Sequence, residues 1–264
     1  MSTLLQISDT HFGTEQAPVV EALVALAQAQ RPDLVVLSGD ITQRARPKQF
    51  EAARAFVDRL GAPCLAIPGN HDIPLFDVAA RVFAPYARFS QVFGNNLEPE
   101  YESADLLVLC VNTTRPWRHT EGEVSAAQIA RVAQRLAQAR PEQLRVVVVH
   151  QPIEVLRSED EHDRLNGHAQ AQKAWAAAGA DVVMGGHIHL PFAAPLTGLA
   201  REMWVVQAGT AVSSRVRDGV PNSVNVLRWD ASAAAERCRI ERWDFDAARQ
   251  VFDRVARHSV DPAR

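Results

Sequence analysis

Oxygen and nitrogen donors recur at short spacings along this 264-residue chain: Asp9-x-His11, Gly39-Asp40, Gly69-Asn70-His71-Asp72, His150 and Gly186-His187-x-His189. Five of the nine histidines fall in these groups, and an imidazole near neutral pH serves as an acid, a base or a metal ligand. One such histidine beside an apolar run is usually structural. Five of them, joined by two aspartates and an asparagine, point to a metal centre. Carboxylate, amide and imidazole donors without thiolates suit manganese, iron or zinc rather than copper(I) or an iron–sulfur cluster. The seven candidates Asp9, His11, Asp40, Asn70, His150, His187 and His189 exceed one tetrahedral site. They suit two adjacent ions sharing a carboxylate, with Asp40, the solitary acid, as the bridge. Two ions about 3.5–4 Å apart stabilise both the attacking and leaving oxygens of phosphoryl transfer and acidify the water between them. The expected chemistry is hydrolysis of a phosphoester, with His71 as a candidate acid and Asp72 as the group that orients it.

These residues need elements that bring them to one place. Residues 4–7, 34–37, 62–67, 145–149 and 181–184 are short apolar runs, and each ends just before a donor group. Open α/β sheets bind ligands outside the carboxyl ends of their strands, so every group lies where such a site belongs. Helical spacing over 17–30, 47–60, 125–139 and 169–178 supplies the crossovers of βαβ units. Runs of Val and Leu without alternation suit strands covered on both faces. Residues 74–96 read as irregular helix, with Phe76, Phe83, Tyr86, Phe89 and Phe93 as core. Two further strands are expected at 101–103 and 106–111, followed by a polar loop over 112–123 that carries Arg115 and Arg118. Residues 158–168 read as a charged, exposed loop near the site. The back of the chain alternates at 204–207, 223–229 and 238–243, which implies a second sheet, and 246–258 reads as a final helix with Val251, Phe252 and Val255 inward.

Composition places limits on the partners. Apolar residues make up 47% and charged residues 22% of the chain, as in an ordinary globular protein with a real core. A single domain over 1–264 is expected. A net charge of -3 gives no electrostatic footprint for nucleic acid. No apolar stretch is long enough to span a membrane, and the start of the chain lacks the pattern of a secretory signal. Cys64, Cys110 and Cys238 are odd in number and lie in or beside apolar runs, which reads as buried thiols. A cytoplasmic location is the expectation, and homo-oligomerisation is left open.

Taken in order, the donor motifs between residues 9 and 189 resemble the signature of the calcineurin-like metallophosphoesterase superfamily. The resemblance implies a four-layer α/β/β/α sandwich of two mixed sheets flanked by helices, with a dimetal site at the carboxyl ends of strands. It implies one metal held by Asp9, His11, Asp40 and His189, and another held by Asp40, Asn70, His150 and His187. It makes a metal-bridging hydroxide the nucleophile and gives His71 the task of protonating the leaving oxygen, with Asp72 behind it. The Gly-Asn-His-Asp tetrad and the strand end at His150-Gln151-Pro152 are similar to those of class III cyclic nucleotide phosphodiesterases and glycerophosphodiester-hydrolysing relatives. A small phosphodiester is the implied substrate, and a phosphomonoester is the alternative. Asn70, His71 and Arg115 are candidate substrate contacts. Arg118, Arg215 and Arg217 are further arginines able to meet a phosphate.

Overall fold

The computed structural model describes residues 1–262, so residues 263–264 of the expected 1–264 domain lie outside the described residues. Why two sheets stack is visible in β1 (Ser2–Ile7) and β2 (Leu34–Leu37). Successive side chains on a strand face opposite ways. Leu4, Leu34 and Val36 enter one apolar cluster, while Leu5, Ile7, Val35 and Leu37 enter another. Both faces of these strands are therefore buried, as their runs of Leu, Val and Ile require.

The first sheet has six strands in the order β12-β11-β10-β1-β2-β3, where β3 is Cys64–Ala66, β10 Ser223–Trp229, β11 Cys238–Asp246 and β12 Val251–Val260. It is mixed: β1 runs parallel to β2 and antiparallel to β10. The second has the order β4-β5-β6-β7-β9-β8, where β4 is Glu100–Glu102, β5 Leu106–Cys110, β6 Leu144–Val148, β7 Val182–Gly185, β8 Phe192–Leu196 and β9 Met203–Gln207. The cluster between the sheets joins Leu4, Val36 and Leu227 to Val146, Val148 and Val182. Helices α1 (Ala17–Gln30) and α2 (Pro47–Asp58) cover the outer face of the first sheet through Leu23, Phe50 and Phe56. On the outer face of the second, Val132 and Leu136 of α3 (Ala126–Ala137) and Trp175 of α4 (His168–Ala177) pack on Val147 and Val183. The layers are α/β/β/α, as expected.

Two sequence expectations are corrected. Residues 246–258 do not form a helix: they complete β11 and form β12, an antiparallel hairpin in which Trp243 pairs with Arg254 and Phe245 with Phe252. The Asp246 carboxylate accepts from the backbone of Ala248 and Arg249, and Gln250 turns the chain at φ 54. Of the three side chains expected inward, Phe252 is 5% exposed, whereas Val251 and Val255 are exposed. Helical spacing is thus not what buries this segment. Among the aromatics of 74–96, Phe89 is fully buried but Phe76 and Phe83 stand in solvent.

Candidate metal centre

The parallel strands deliver their donor residues to one edge, where the two sheets are tied together. Gln6 of β1 donates to the carbonyl of Gly185 at the end of β7, and His150, just past β6, donates through Nδ1 to the carbonyl of Ser38, just past β2. Gly186 lies so close to the end of β1 that a Cβ there would stand 2.0 Å from Ser8 Oγ and 2.6 Å from an oxygen of Asp9. Backbone strain concentrates at the same place. Nine described residues other than glycine have positive φ, and five of them are Asp9, His11, Asp40, His187 and His189. Each such conformation costs about 1–3 kcal/mol and persists only where the surroundings impose it.

The side chains form two groups that share Asp40. Asp9, His11, Asp40 and His189 bring one donor atom each within 4.8 Å of one another, and so do Asp40, His150 and His187. Asp40 lies between them: Oδ1 is 3.3 Å from His150 Nε2, and Oδ2 is 3.8 Å from His11 Nε2. Asn70 Oδ1 joins the second group at 3.3 Å from His150 Nε2. In the first group His11 Nε2 and His189 Nε2 face each other at 3.2 Å, and His189 Nε2 is 3.4 Å from Asp9.

The outer nitrogens of the rings fix where the lone pairs point. His189 Nδ1 donates to the carbonyl of Arg215 at 2.6 Å and His150 Nδ1 to that of Ser38 at 2.8 Å, which leaves Nε2 of both rings facing the cluster. Partners of this kind orient metal-binding histidines. His187 is held from the other side, since its Nε2 meets Asp163 at 3.4 Å while its buried Nδ1 has no hydrogen-bond partner. A buried orphan nitrogen beside anionic oxygens is what a cation would satisfy. The donor set therefore fits two ions: oxygen and imidazole nitrogen, no sulfur, and one shared carboxylate.

Electrostatics agree. Burial raises the Asp9 and Asp40 carboxyls, yet nearby imidazoles outweigh it: His189 brings Asp9 down to about 2, and His150 and His71 hold Asp40 well below the usual range. Burial pushes His11 down to about 3, which leaves it neutral and ready to bind a cation. Burial also opposes the charge of His150, but Asp40 prevails and lifts that imidazole to about 9. In the absence of metal, a proton on His150 balances the carboxylate.

Around this core the structure redistributes several expected roles. His71 borders a pocket with Gln43, Asn70, Ile73, Leu75 and His119, and its Nδ1 donates to the carbonyl of Gln43 at 3.0 Å. That carbonyl, not Asp72, orients the imidazole. The Asp72 carboxylate points away and accepts from the amides of Ile41, Thr42 and Gly69 and from the Thr42 hydroxyl, at 2.8–3.0 Å. It thus ties the loop after β2 to the loop after β3, and so fixes Asp40 and Asn70 relative to each other. Arg115 is not brought to the cluster. Its guanidinium donates to the carbonyls of Asn112 and Thr114 and to Gln128, and borders a separate cavity with Asn95 and Glu98. Arg118 pairs with Glu121 and Glu123. Gln151, beside His150, holds Thr113 and the carbonyl of Thr120.

Sequence reading missed Asp163. It lies in a short 3-10 helix (Ser158–Asp163), within the segment expected to be an exposed loop. Arg217 secures that helix by pairing with Glu159 and, at 2.9 Å, with Asp160.

The chain is 42% identical over 82 residues to the glycerophosphodiester phosphodiesterase GpdQ of Enterobacter lignolyticus, covering 26% of this chain and 29% of that protein. It is 27% identical over 217 residues to a cAMP/cGMP dual specificity phosphodiesterase of Mycobacterium tuberculosis, covering 74% of this chain and 64% of the relative. The matched stretches span less than two thirds of the length of either relative. A dimetal phosphatase from Danio rerio shares the fold, with a TM-score of 0.70, 11% identity and 99% coverage of both chains. Residues 2–191 match the calcineurin-like phosphoesterase family, which contains all seven donor residues, and the chain belongs to that family.

Proposed function

We propose that this protein is a metal-dependent phosphodiesterase that hydrolyses small diesters of the cyclic nucleotide or glycerophosphodiester type. The observation that carries the proposal is the pair of donor groups sharing Asp40, with the unligated His71 beside them. Asp9, His11, Asp40 and His189 would hold one ion, and Asp40, Asn70, His150 and His187 the other. When bound, two such ions supply an acidified water and neutralise phosphoryl charge. The protein's own groups supply the rest. Gln43 holds the His71 ring by Nδ1, which turns Nε2 toward the pocket, where it would give a proton to the departing ester oxygen. The Asn70 amide sits one residue before, where its nitrogen can donate to a phosphoryl oxygen while its oxygen faces the second group. Two relatives named for diester hydrolysis support the diester over the monoester. No helix among the described residues is long and apolar enough to cross a membrane.

The test compares bis(p-nitrophenyl) phosphate with p-nitrophenyl phosphate on chelator-stripped protein, with and without added manganese. A metal-dependent preference for the diester is expected, and cyclic nucleotides and glycerophosphodiesters follow as substrates. A metal-dependent preference for the monoester would overturn the diester assignment.

A further inference from the structure

Arg215 stands apart from the other arginines near the site. Its carbonyl accepts from His189 Nδ1 at 2.6 Å and from the Thr210 hydroxyl at 2.7 Å, so its backbone is fixed to a member of the first donor group. From that anchor the half-buried side chain reaches across to His71. Nη1 lies 3.2 Å from His71 Nε2, 3.4 Å from His71 Nδ1 and 3.1 Å from Gln43 Oε1. Nearly equidistant from both ring nitrogens, the planar guanidinium packs against the imidazole, as arginine does on aromatic faces, while His71 Nδ1 donates to the Gln43 carbonyl.

Three neighbouring arginines are neutralised. Arg217 meets Asp160 and Glu159, Arg118 meets Glu121 and Glu123, and Arg164 meets Glu154 and Glu161. Arg44, which also borders the His71 pocket, is exposed and lies over the ring of Phe76. Arg215 donates to the side-chain oxygen of Gln43, and among the described residues no carboxylate lies within ion-pair distance of it. A half-buried guanidinium with no anionic partner is free to take one. Its five donors form a fixed fork matched to two oxygens of a phosphate.

We propose that Arg215 is the phosphoryl clamp of this site. A non-bridging oxygen of the substrate accepts from the guanidinium beside His71. The imidazole, held by its Nδ1 on the Gln43 carbonyl, keeps Nε2 for the leaving oxygen. No covalent bond forms or breaks in this step; the guanidinium donates to an anionic oxygen, and such charge-assisted bonds are stronger than those to neutral acceptors. The inference rests on the phosphoester reading above but not on the choice between diester and monoester. It also explains why an arginine rather than a lysine stands here, since one planar group packs against His71 and donates to Gln43.

The experiment measures inhibition by inorganic phosphate, together with kcat and KM, for the manganese-loaded wild type, Arg215→Met and Arg215→Lys, with metal content determined in parallel. Arg215→Met should keep both ions and its melting temperature, because the carbonyl that holds His189 remains. Its phosphate inhibition constant should rise at least about tenfold and kcat/KM should fall about 10²–10³-fold, the loss typical of removing one preorganised donor. Arg215→Lys should recover part of both losses, and added guanidinium should partly rescue Arg215→Met. Unchanged phosphate inhibition with kcat/KM within about twofold of wild type would overturn the proposal, given the size of that expected loss. If Arg215→Met does not fold, Arg215→Lys decides, with weaker phosphate inhibition supporting the clamp and wild-type inhibition refuting it. A wild type that favours monoesters yet loses phosphate inhibition in Arg215→Met would overturn the diester reading and leave the clamp standing.

Discussion

Replacing Gly186 with alanine tests whether the two sheets meet as closely as the metal centre requires. The new methyl would lie 2.0 Å from Ser8 Oγ, 3.1 Å from Ser8 Cβ and 2.6 Å from Asp9 Oδ2. Residue 186 cannot retreat easily. Its amide donates to the His150 carbonyl at 2.8 Å, and its carbonyl accepts from Ile188 and from the Gln207 side chain. Ser8 can move at small cost, since its hydroxyl makes only a 3.4 Å bond to Ser38. Asp9 cannot, because both its oxygens accept from the His187 amide, at 3.2 and 3.0 Å. The overlap with the carboxylate therefore decides the outcome. Overpacking of this kind costs about 1–3 kcal/mol. For a chain of this size, about 2 kcal/mol lowers the melting temperature by roughly 4–8 °C. Thermal unfolding of metal-free and manganese-loaded protein is the assay. The variant should melt lower without metal, and manganese should raise its melting temperature less than it raises that of wild type, because Asp9 is displaced. Adding Ser8→Gly should restore part of the metal-free stability but little of the metal response. A single variant that melts within about 2 °C of wild type in both states would refute the close approach at this edge.

Three further outcomes follow from the same geometry. Asp163→Asn should weaken binding of one ion by about 10- to 100-fold and leave the other in place, because among the donor residues His187 alone pairs with Asp163; a metal titration showing two unchanged affinities would contradict this. His150 gives metal-free protein a pH dependence. Its folded value is raised to about 9 against an ordinary 6.5, so its contribution is complete below pH 6.5 and is lost as pH climbs through 9. The loss amounts to about 3 kcal/mol by linkage. Denaturant melts of metal-free protein should become weaker over that window and those of metal-loaded protein should not, since the ion replaces the proton. Finally, His71→Ala should keep both ions while kcat falls by about 10²–10⁴-fold, the range for a lost general acid. Loss of metal in that variant would show that His71 is a ligand.

The donor residues were legible because their types are unusual at strand ends and because parallel strands carry consecutive loops to one edge. Their supports were not legible. Asp72 follows His71 directly, yet residues Asn70–Asp72 form one 3-10 turn, in which neighbouring side chains diverge by about 120°. His71 faces the pocket, and Asp72 faces the amides of Ile41 and Thr42. The partner of His71 is instead a backbone carbonyl, which leaves no mark on side-chain spacing. Asp163 is one acid among several in 158–168, and only the path of that segment brings it to His187. Arg115 had the right chemistry but is consumed by its own loop. At the back of the chain, Ala247, Ala248 and Arg249 favour helix locally, whereas the long-range pairing of β11 with β12 decides the outcome.

The central claim is that seven residues hold two ions with Asp40 between them. The most direct test is the number of manganese ions bound per chain, measured by elemental analysis on reconstituted wild type and on Asp40→Ala, with folding checked by circular dichroism. The account predicts two ions in the wild type and the loss of both in the folded variant. A wild type that binds a single ion, or an Asp40→Ala protein that keeps both, would contradict it.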